Sequence, residues 1–231
     1  GDFVASLIRD LRKNLPCDAG GNRICRMCRQ ILPETEAICW PCAEKGQRDA
    51  NAAESRRSIV DTTRDLVSAL PPWPWADVRN QAWRERVHPR LLAVADRYTP
   101  IRGAICALGA AGTGKTSALR ALVCRLRQEA LRAGDSAHPV VGARWVSAIV
   151  YATQRRELRR GSPDIELSEM QRAPLLVVDE VGQETAEPTW LLEVLDERYR
   201  HRRPTLTTTG LTRAQLEARY GTGIARRLVE P

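Results

Sequence analysis

The sequence predicts an α/β fold in which helices sandwich a parallel sheet, preceded by a small cysteine-rich module and further helices. Two observations favour this class. Apolar segments typical of buried strands alternate with helical patterns of about 10–15 residues from position 81 onward. A glycine-rich segment, GAAGTGKT, also stands between one of these strands and a long helical pattern, where open α/β sheets bind phosphate groups.

The N-terminal part of the chain is predicted to contain helices on either side of a segment that lacks a core. Residues 2–15 place their apolar side chains on one helical face. Residues 17–47 are rich in turn formers and too short to bury a core, so another interaction must hold them together. Residues 48–70 return to a helical pattern, which PPWPW at 71–75 interrupts.

The composition changes predict three regions. They are an N-terminal partner-docking region at 1–70, a linker rich in Pro and Trp at 71–80, and a main domain at 81–231. The PPWPW segment is either a rigid spacer or a surface whose tryptophans pack against the main domain.

The main domain is predicted to contain four strands. The expected order is helix 81–98, strand 101–109, helix 117–134, strand 143–148, helix 149–161, a loop, strand 175–180, helix 189–202, strand 204–210 and helix 212–221.

The charge of the chain fits a polyanionic partner. Basic residues outnumber acidic ones by 36 to 28, and all but three of them are arginine, which binds phosphate with two parallel hydrogen bonds. The same charge spread over the whole surface would only keep the protein soluble.

No segment has the ~18 consecutive apolar residues of a membrane span, and the N-terminus lacks a signal-peptide centre. We therefore expect no membrane association and a cytoplasmic location.

The glycine-rich segment fits the phosphate-loop pattern G-x-x-x-x-G-K-[ST] at every fixed position. Glycines let backbone N–H groups surround a phosphate, Lys115 reaches the β and γ oxygens of ATP, and Thr116 offers its hydroxyl to Mg²⁺. A chance glycine-rich turn is the alternative. The predicted nucleotide-binding residues of this segment are Gly109, Ala110, Ala111, Gly112, Thr113, Gly114, Lys115, Thr116 and Ser117.

The segment LLVVDE has the form of the second phosphate-site motif, an apolar strand that ends in acidic residues. Asp179 is placed to hold Mg²⁺, and Glu180 is placed to polarise the water that attacks ATP. Two surface acids after a buried strand are the alternative. The adjacent Glu180 favours ATP hydrolysis to ADP over a small-molecule kinase, which needs no carboxylate to activate water.

The N-terminal region contains two C-x-x-C pairs, Cys25 with Cys28 and Cys39 with Cys42, ten residues apart. Four thiolates at this spacing can surround Zn²⁺ as a tetrahedron, and the metal would supply most of the folding free energy of the segment. Reduced structural cysteines or a redox pair are the alternative. Arg23, Arg26 and Arg29 surround the first pair and Trp40 lies within the second, so the module is suited either to nucleic acid or to protein docking.

Residues from about Arg90 to Glu230 resemble the AAA+ ATPase core of the DnaC/DnaI helicase loaders and of their IstB-type transposition relatives. The resemblance lies in LLVVDEVG, LDERYRHRRPTLTTTGLT and LEARYGTGIARRL. It implies that Thr208 and Thr209 end the strand that senses the γ-phosphate. It also implies that Arg227, or Arg226 one residue away, completes the ATP site of a neighbouring subunit. Gly210 stands where this family usually has Asn, so either Thr209 makes that contact or γ-phosphate sensing is weakened.

The resemblance implies an ATP-dependent loader of a DnaB-like hexameric helicase onto single-stranded DNA in bacterial or phage replication. The N-terminal zinc module would dock on the helicase, and the ATPase domain would self-associate. An IstB-like ATPase accessory to a transposase, which binds double-stranded DNA, is the main alternative. A zinc-dependent adaptor that keeps ATP as a structural ligand is the other.

Overall fold

A computed structural model describes residues 27–30, 38–73, 76–100, 104–158, 163–184 and 189–229. The chain divides into two compact units, Gly1–Ser55 and Arg56–Pro231. The predicted helix at residues 2–15 lies outside the described residues, and the predicted linker at 71–80 stays a prediction.

The second unit is built on one sheet of four parallel strands. The strands are β1 (Ala104–Leu108), β2 (Arg144–Ser147), β3 (Leu176–Val181) and β4 (Thr205–Thr209). Their spatial order is β1-β4-β3-β2. Because all four are parallel, their carboxyl ends meet at one edge of the sheet, where α/β proteins bind ligands.

Nine helices are found among the described residues. They are α1 (Trp40–Thr62), α2 (Arg64–Ala69), α3 (Gln81–Arg84), α4 (Pro89–Arg97), α5 (Lys115–Ala133), α6 (Ala148–Glu157), α7 (Ile165–Arg172), α8 (Thr189–Arg200) and α9 (Arg213–Val229). None of the described helices combines the length and the apolar composition needed to cross a membrane.

Both faces of the sheet are covered by helices. Trp145, Val177 and Leu206 lie side by side in the sheet register and pack against buried residues of α5 and of the segments before β1. Val146 and Val178, which alternate with them, pack on the other face against α6, α8 and α9. Successive side chains of a strand point to opposite faces, so the apolar runs predicted as buried strands serve two cores. The predicted fold class is confirmed.

Two predicted helices differ from the observed ones. The single helix expected at 81–98 is two helices, α3 and α4. Pro89 lacks an N–H group, so it is favoured in the first turn of a new helix instead of the middle of a long one. The His88 side chain caps that first turn. The helix expected at 48–70 begins earlier, at Trp40, and is interrupted at Thr63.

The C-terminal half contains two further differences. Part of the expected loop before β3 forms α7, which begins where the Asp164 carboxylate accepts a 2.9 Å hydrogen bond from the Leu167 N–H. The last helix, expected at 212–221, continues to Val229 after a kink at Gly221, whose φ is 79°. This second helical segment contains the two arginines predicted to act on a neighbouring subunit.

Candidate functional site

The phosphate loop joins β1 directly to α5 at the carboxyl edge of the sheet. Gly112 and Gly114 have φ values of 77° and 86°, which residues with a side chain rarely adopt. A Cβ at Gly114 would also lie 3.4 Å from Val87 Cγ2. The fixed glycine of the motif before Lys115 is therefore required by backbone conformation, and a larger residue would also be in contact with Val87.

The Lys115 side chain lies inside this loop. Its Nζ donates hydrogen bonds to the carbonyl oxygens of Gly109 and Ala110, at 2.6 and 2.7 Å. Burial lowers the pKa of Lys115, and the charge of Asp179 opposes that shift. The loop thus holds a buried ammonium group at the point where the sequence predicts binding of the β and γ phosphates.

Asp179 is the centre of a buried hydrogen-bond network. Its Oδ1 accepts a 2.9 Å bond from the Thr116 hydroxyl and a short bond from the Thr208 hydroxyl. Burial raises the pKa of Asp179, whereas the bonds from Thr208 and Thr116 lower it. A carboxylate beside the first hydroxyl of α5 is an oxygen donor set that suits Mg²⁺.

Glu180 occupies a strained position at the end of β3. Its φ is 62°, and the pairing of β3 with β4 is irregular between Val178 and Val181. Such bulges redirect side chains and are frequent beside active sites. Asp179 is buried, whereas Glu180 is exposed and lines a cavity. The Glu180 N–H donates a 2.9 Å bond to Thr208 Oγ1, which links both acids to β4.

The cavity has a volume of about 320 Å³ and is formed by the phosphate loop and the ends of β3 and β4. Its lining residues include Trp73, Gly112, Lys115, Thr116, Glu180, Gln183 and Gly210. A second cavity of about 380 Å³ shares Gly112, Gly114 and Ser117 with it. The Ser117 hydroxyl is occupied by bonds from Trp83 Nε1 and to the Gly114 carbonyl oxygen.

The two threonines predicted to sense the γ-phosphate lie at the cavity but have almost no exposed surface. Thr208 is 1% exposed and Thr209 is 0% exposed. The Thr209 hydroxyl accepts a 3.1 Å bond from the Leu211 N–H. Gln183, which sequence reasoning missed, is exposed beside Gly210. Its place directly after DEVG was the available signal.

Arg227 does not line either of these cavities. It forms a 2.7 Å ion pair with Asp196 of α8, and its guanidinium lies 5.9 Å from the ring centre of Tyr199. Arg226 is exposed on the same helix. A role for either arginine in the site of another subunit stays a prediction.

The first unit contains a cysteine cluster. The sulfur atoms of Cys28, Cys39 and Cys42 all lie within 4.8 Å of one another, and those of Cys28 and Cys39 are 3.4 Å apart. Tetrahedral Zn²⁺ with bonds of about 2.3 Å places its sulfur ligands about 3.8 Å apart, so the three thiols fit such a site. Cys25, the fourth predicted ligand, lies outside the described residues, as do Arg23 and Arg26.

The fold and the site together define an AAA+ P-loop protein. A parallel sheet sandwiched by helices carries a phosphate loop after its first strand, and an acidic pair stands at the same edge. The chain belongs to the family of IstB-like ATP binding proteins, whose model matches residues 88–224, more than half of the sequence. The resemblance inferred from the sequence motifs is confirmed. No curated protein sequence matches the chain.

Solved structures with a similar fold include replication proteins. Domain III of the replication initiation protein DnaA from Thermotoga maritima matches with a TM-score of 0.52 and 14% identity, over 67% of this chain and 64% of that chain. The DnaC helicase loader has a TM-score of 0.46 and 18% identity, over 65% and 85% of the two chains. The AMPPCP-bound DnaA from Aquifex aeolicus has a TM-score of 0.47 and 18% identity, over 67% of this chain, which spans only 48% of that protein.

Proposed function

We propose that the protein is an ATP-dependent loader that places a replicative hexameric helicase on single-stranded DNA in the cytoplasm. The observation that carries this proposal is a cysteine cluster in a separate unit ahead of the IstB-like ATP-binding domain. The transposase accessories that the sequence resembles lack a zinc module in front of the ATPase. A loader function therefore accounts for both units of the chain.

ATP hydrolysis is proposed for the cavity at the carboxyl edge of the sheet. The phosphate loop and Lys115 bind the phosphates, and Thr116 and Asp179 are the residues that would hold Mg²⁺. The metal would neutralise charge on the phosphate oxygens. Glu180, exposed in the cavity, polarises the attacking water and accepts its proton.

We place the γ-phosphate contact from a second subunit at Arg227. Because Arg227 pairs with Asp196 in the isolated chain, self-association must exchange this partner for the phosphate of the neighbouring site. The exchange couples subunit assembly to the presence of ATP. Arg226, exposed next to it, is the alternative residue for this contact.

The N-terminal unit is proposed as the docking surface for the helicase. Cys25, Cys28, Cys39 and Cys42 would hold Zn²⁺, which stabilises a segment with almost no apolar core. Met27, Ile38 and Trp40 are 59%, 40% and 76% exposed around the cysteines. Exposed aromatic and Met side chains are typical of protein interfaces.

An IstB-like accessory to a transposase is the second candidate, and the match to the IstB-like ATP binding proteins is compatible with it as well as with a loader. Its expected ligand is double-stranded DNA instead of a helicase. A zinc-dependent adaptor that retains ATP without hydrolysis is distinguished from both by the absence of any ATPase activity, with and without DNA.

Binding to the host's replicative helicase tests the docking proposal. We expect the intact protein to capture the helicase in a pull-down, and Cys39→Ser/Cys42→Ser to lose it because the module no longer folds. Trp40→Ala keeps all cysteines and removes a large exposed side chain, so its affinity should fall about tenfold or more.

Val60→Ala is the matched control, because Val60 is also exposed on α1 but lies away from the cysteines in sequence. Its affinity should equal that of the intact protein. If the intact protein captures no helicase in ATP or in ADP, the loader proposal fails and double-stranded DNA becomes the ligand to test.

A further inference from the structure

The wall of the nucleotide cavity that the ends of β3 and β4 form has an unassigned amide group, that of Gln183. Gln183 is exposed and lines the same cavity as Lys115, Thr116 and Glu180. Its side-chain amide has no hydrogen bond to any residue that the structure describes. It therefore offers two N–H donors to a ligand without losing a bond inside the protein.

Gly210, which has no side chain, lies beside this amide. A Cβ placed on Gly210 would lie 3.5 Å from Gln183 Nε2, an ordinary contact distance. An asparagine side chain at 210 would therefore start within contact distance of the Gln183 amide. In this chain the polar side chain at this point of the cavity is that of Gln183, at the end of the neighbouring strand.

The turn that contains Gln183 is held firmly. Gly182 has a φ of 98°, which favours glycine, and a Cβ there would lie 2.5 Å from Leu211 Cδ1, so any larger residue would also have to displace the Leu211 side chain. The Gly182 N–H donates a 2.8 Å bond to the Glu184 carboxylate, which also accepts a short bond from the Tyr220 hydroxyl. The Gln183 N–H itself donates to the Glu180 carbonyl oxygen at 3.2 Å.

The turn therefore ties Gln183 to Glu180, the proposed base, on one side and to α9 on the other. Glu184 is only 2% exposed, which makes its bonds to Gly182 and Tyr220 part of the folded core. These bonds fix the backbone from which the Gln183 side chain extends to the cavity, so its amide is available to charge that enters or develops there. Thr209, with no exposed surface, cannot touch a ligand unless its neighbours move.

We infer that Gln183 is the residue that contacts the γ-phosphate at this wall of the cavity and distinguishes ATP from ADP. The inference rests on the proposed ATP site. Its amide donates a hydrogen bond to a γ-phosphate oxygen that ADP lacks, and the same bond strengthens as negative charge shifts during hydrolysis. Gly210, beside it, has no side chain that could make this contact instead.

The test measures binding of fluorescent mant-ATP and mant-ADP with Mg²⁺ together with the kcat of ATP hydrolysis. For Gln183→Ala we expect the Kd of mant-ATP to rise about tenfold or more, the Kd of mant-ADP to stay within twofold, and kcat to fall about tenfold or more. Gln183→Ala/Gly210→Asn should recover most of the preference for ATP, because the asparagine amide enters the vacated place. Gln154→Ala, an exposed glutamine of α6 outside the cavity, should match the intact protein.

A ratio of the two Kd values in Gln183→Ala equal to that of the intact protein overturns the inference. The proposed ATP hydrolysis is tested separately, since it is excluded if the intact protein shows no ATPase activity. The two Kd measurements do not require ATP hydrolysis. They therefore decide the role of Gln183 whether or not the intact protein is an ATPase.

Discussion

Replacing Glu180 by Gln is expected to lower the kcat of ATP hydrolysis by about 10²–10⁴-fold, the usual contribution of a general base. The amide cannot accept the proton of the attacking water. Binding of ATP should persist, because Lys115 and the phosphate loop are unchanged. The Gln side chain has nearly the same size and shape as that of Glu, so the substitution should not disturb the strained backbone at position 180, where φ is 62°.

The measurement is the rate of phosphate release alongside the Kd of mant-ATP, with Glu217→Gln as the matched control. Glu217 is an acid of α9 whose ion pair with Arg213 is solvent-exposed, so its replacement should leave both values unchanged. Hydrolysis by Glu180→Gln at the rate of the intact protein would remove Glu180 from the mechanism.

Replacing Arg198 by Met is expected to lower the free energy of unfolding by about 3–5 kcal/mol. Arg198 is 1% exposed, and its Nη1 donates 2.7 Å bonds to the carbonyl oxygens of Met170 and Ala173 at the end of α7. Its Nη2 donates a 2.5 Å bond to the Pro204 carbonyl oxygen, just before β4. Met fills a similar volume but leaves all three buried carbonyl groups without this donor.

Urea unfolding followed by circular dichroism measures this effect. The control is Arg200→Met on the same helix, because the ion pair of Arg200 with Glu197 is exposed and its loss should cost less than about 1 kcal/mol. An equal unfolding midpoint for Arg198→Met and Arg200→Met would show that the buried guanidinium does not hold α7, α8 and β4 together.

The phosphate loop and the acidic pair could be predicted from the sequence because their chemistry depends on a fixed local spacing. Backbone N–H groups, Lys115 and Thr116 belong to one continuous segment, and Asp179 with Glu180 ends a recognisably apolar strand. The start of α4 at Pro89 also had a sequence signal, since proline is favoured in the first turn of a helix.

Features that depend on distant segments could not be predicted in this way. The segment around Arg198, LDERYRHR, has the pattern of a helix with a charged surface, and its burial follows only from carbonyl groups that α7 and β4 bring together. The place of Gln183 in the cavity wall follows from the turn at Gly182, which packs against Leu211 beyond β4. Helix α7 is too short for its apolar pattern to distinguish it from a loop.

Loading of the helicase onto closed circular single-stranded DNA is the decisive test of the proposed loader function, because a preformed ring cannot thread onto DNA without an end. Purified helicase, DNA and ATP are combined with the intact protein, with Glu180→Gln or with Cys39→Ser/Cys42→Ser, and DNA-bound helicase is measured after gel filtration. We expect bound helicase with the intact protein, and none above the protein-free level with the double cysteine variant. The same amount of DNA-bound helicase with and without the intact protein would rule out the proposed loader function.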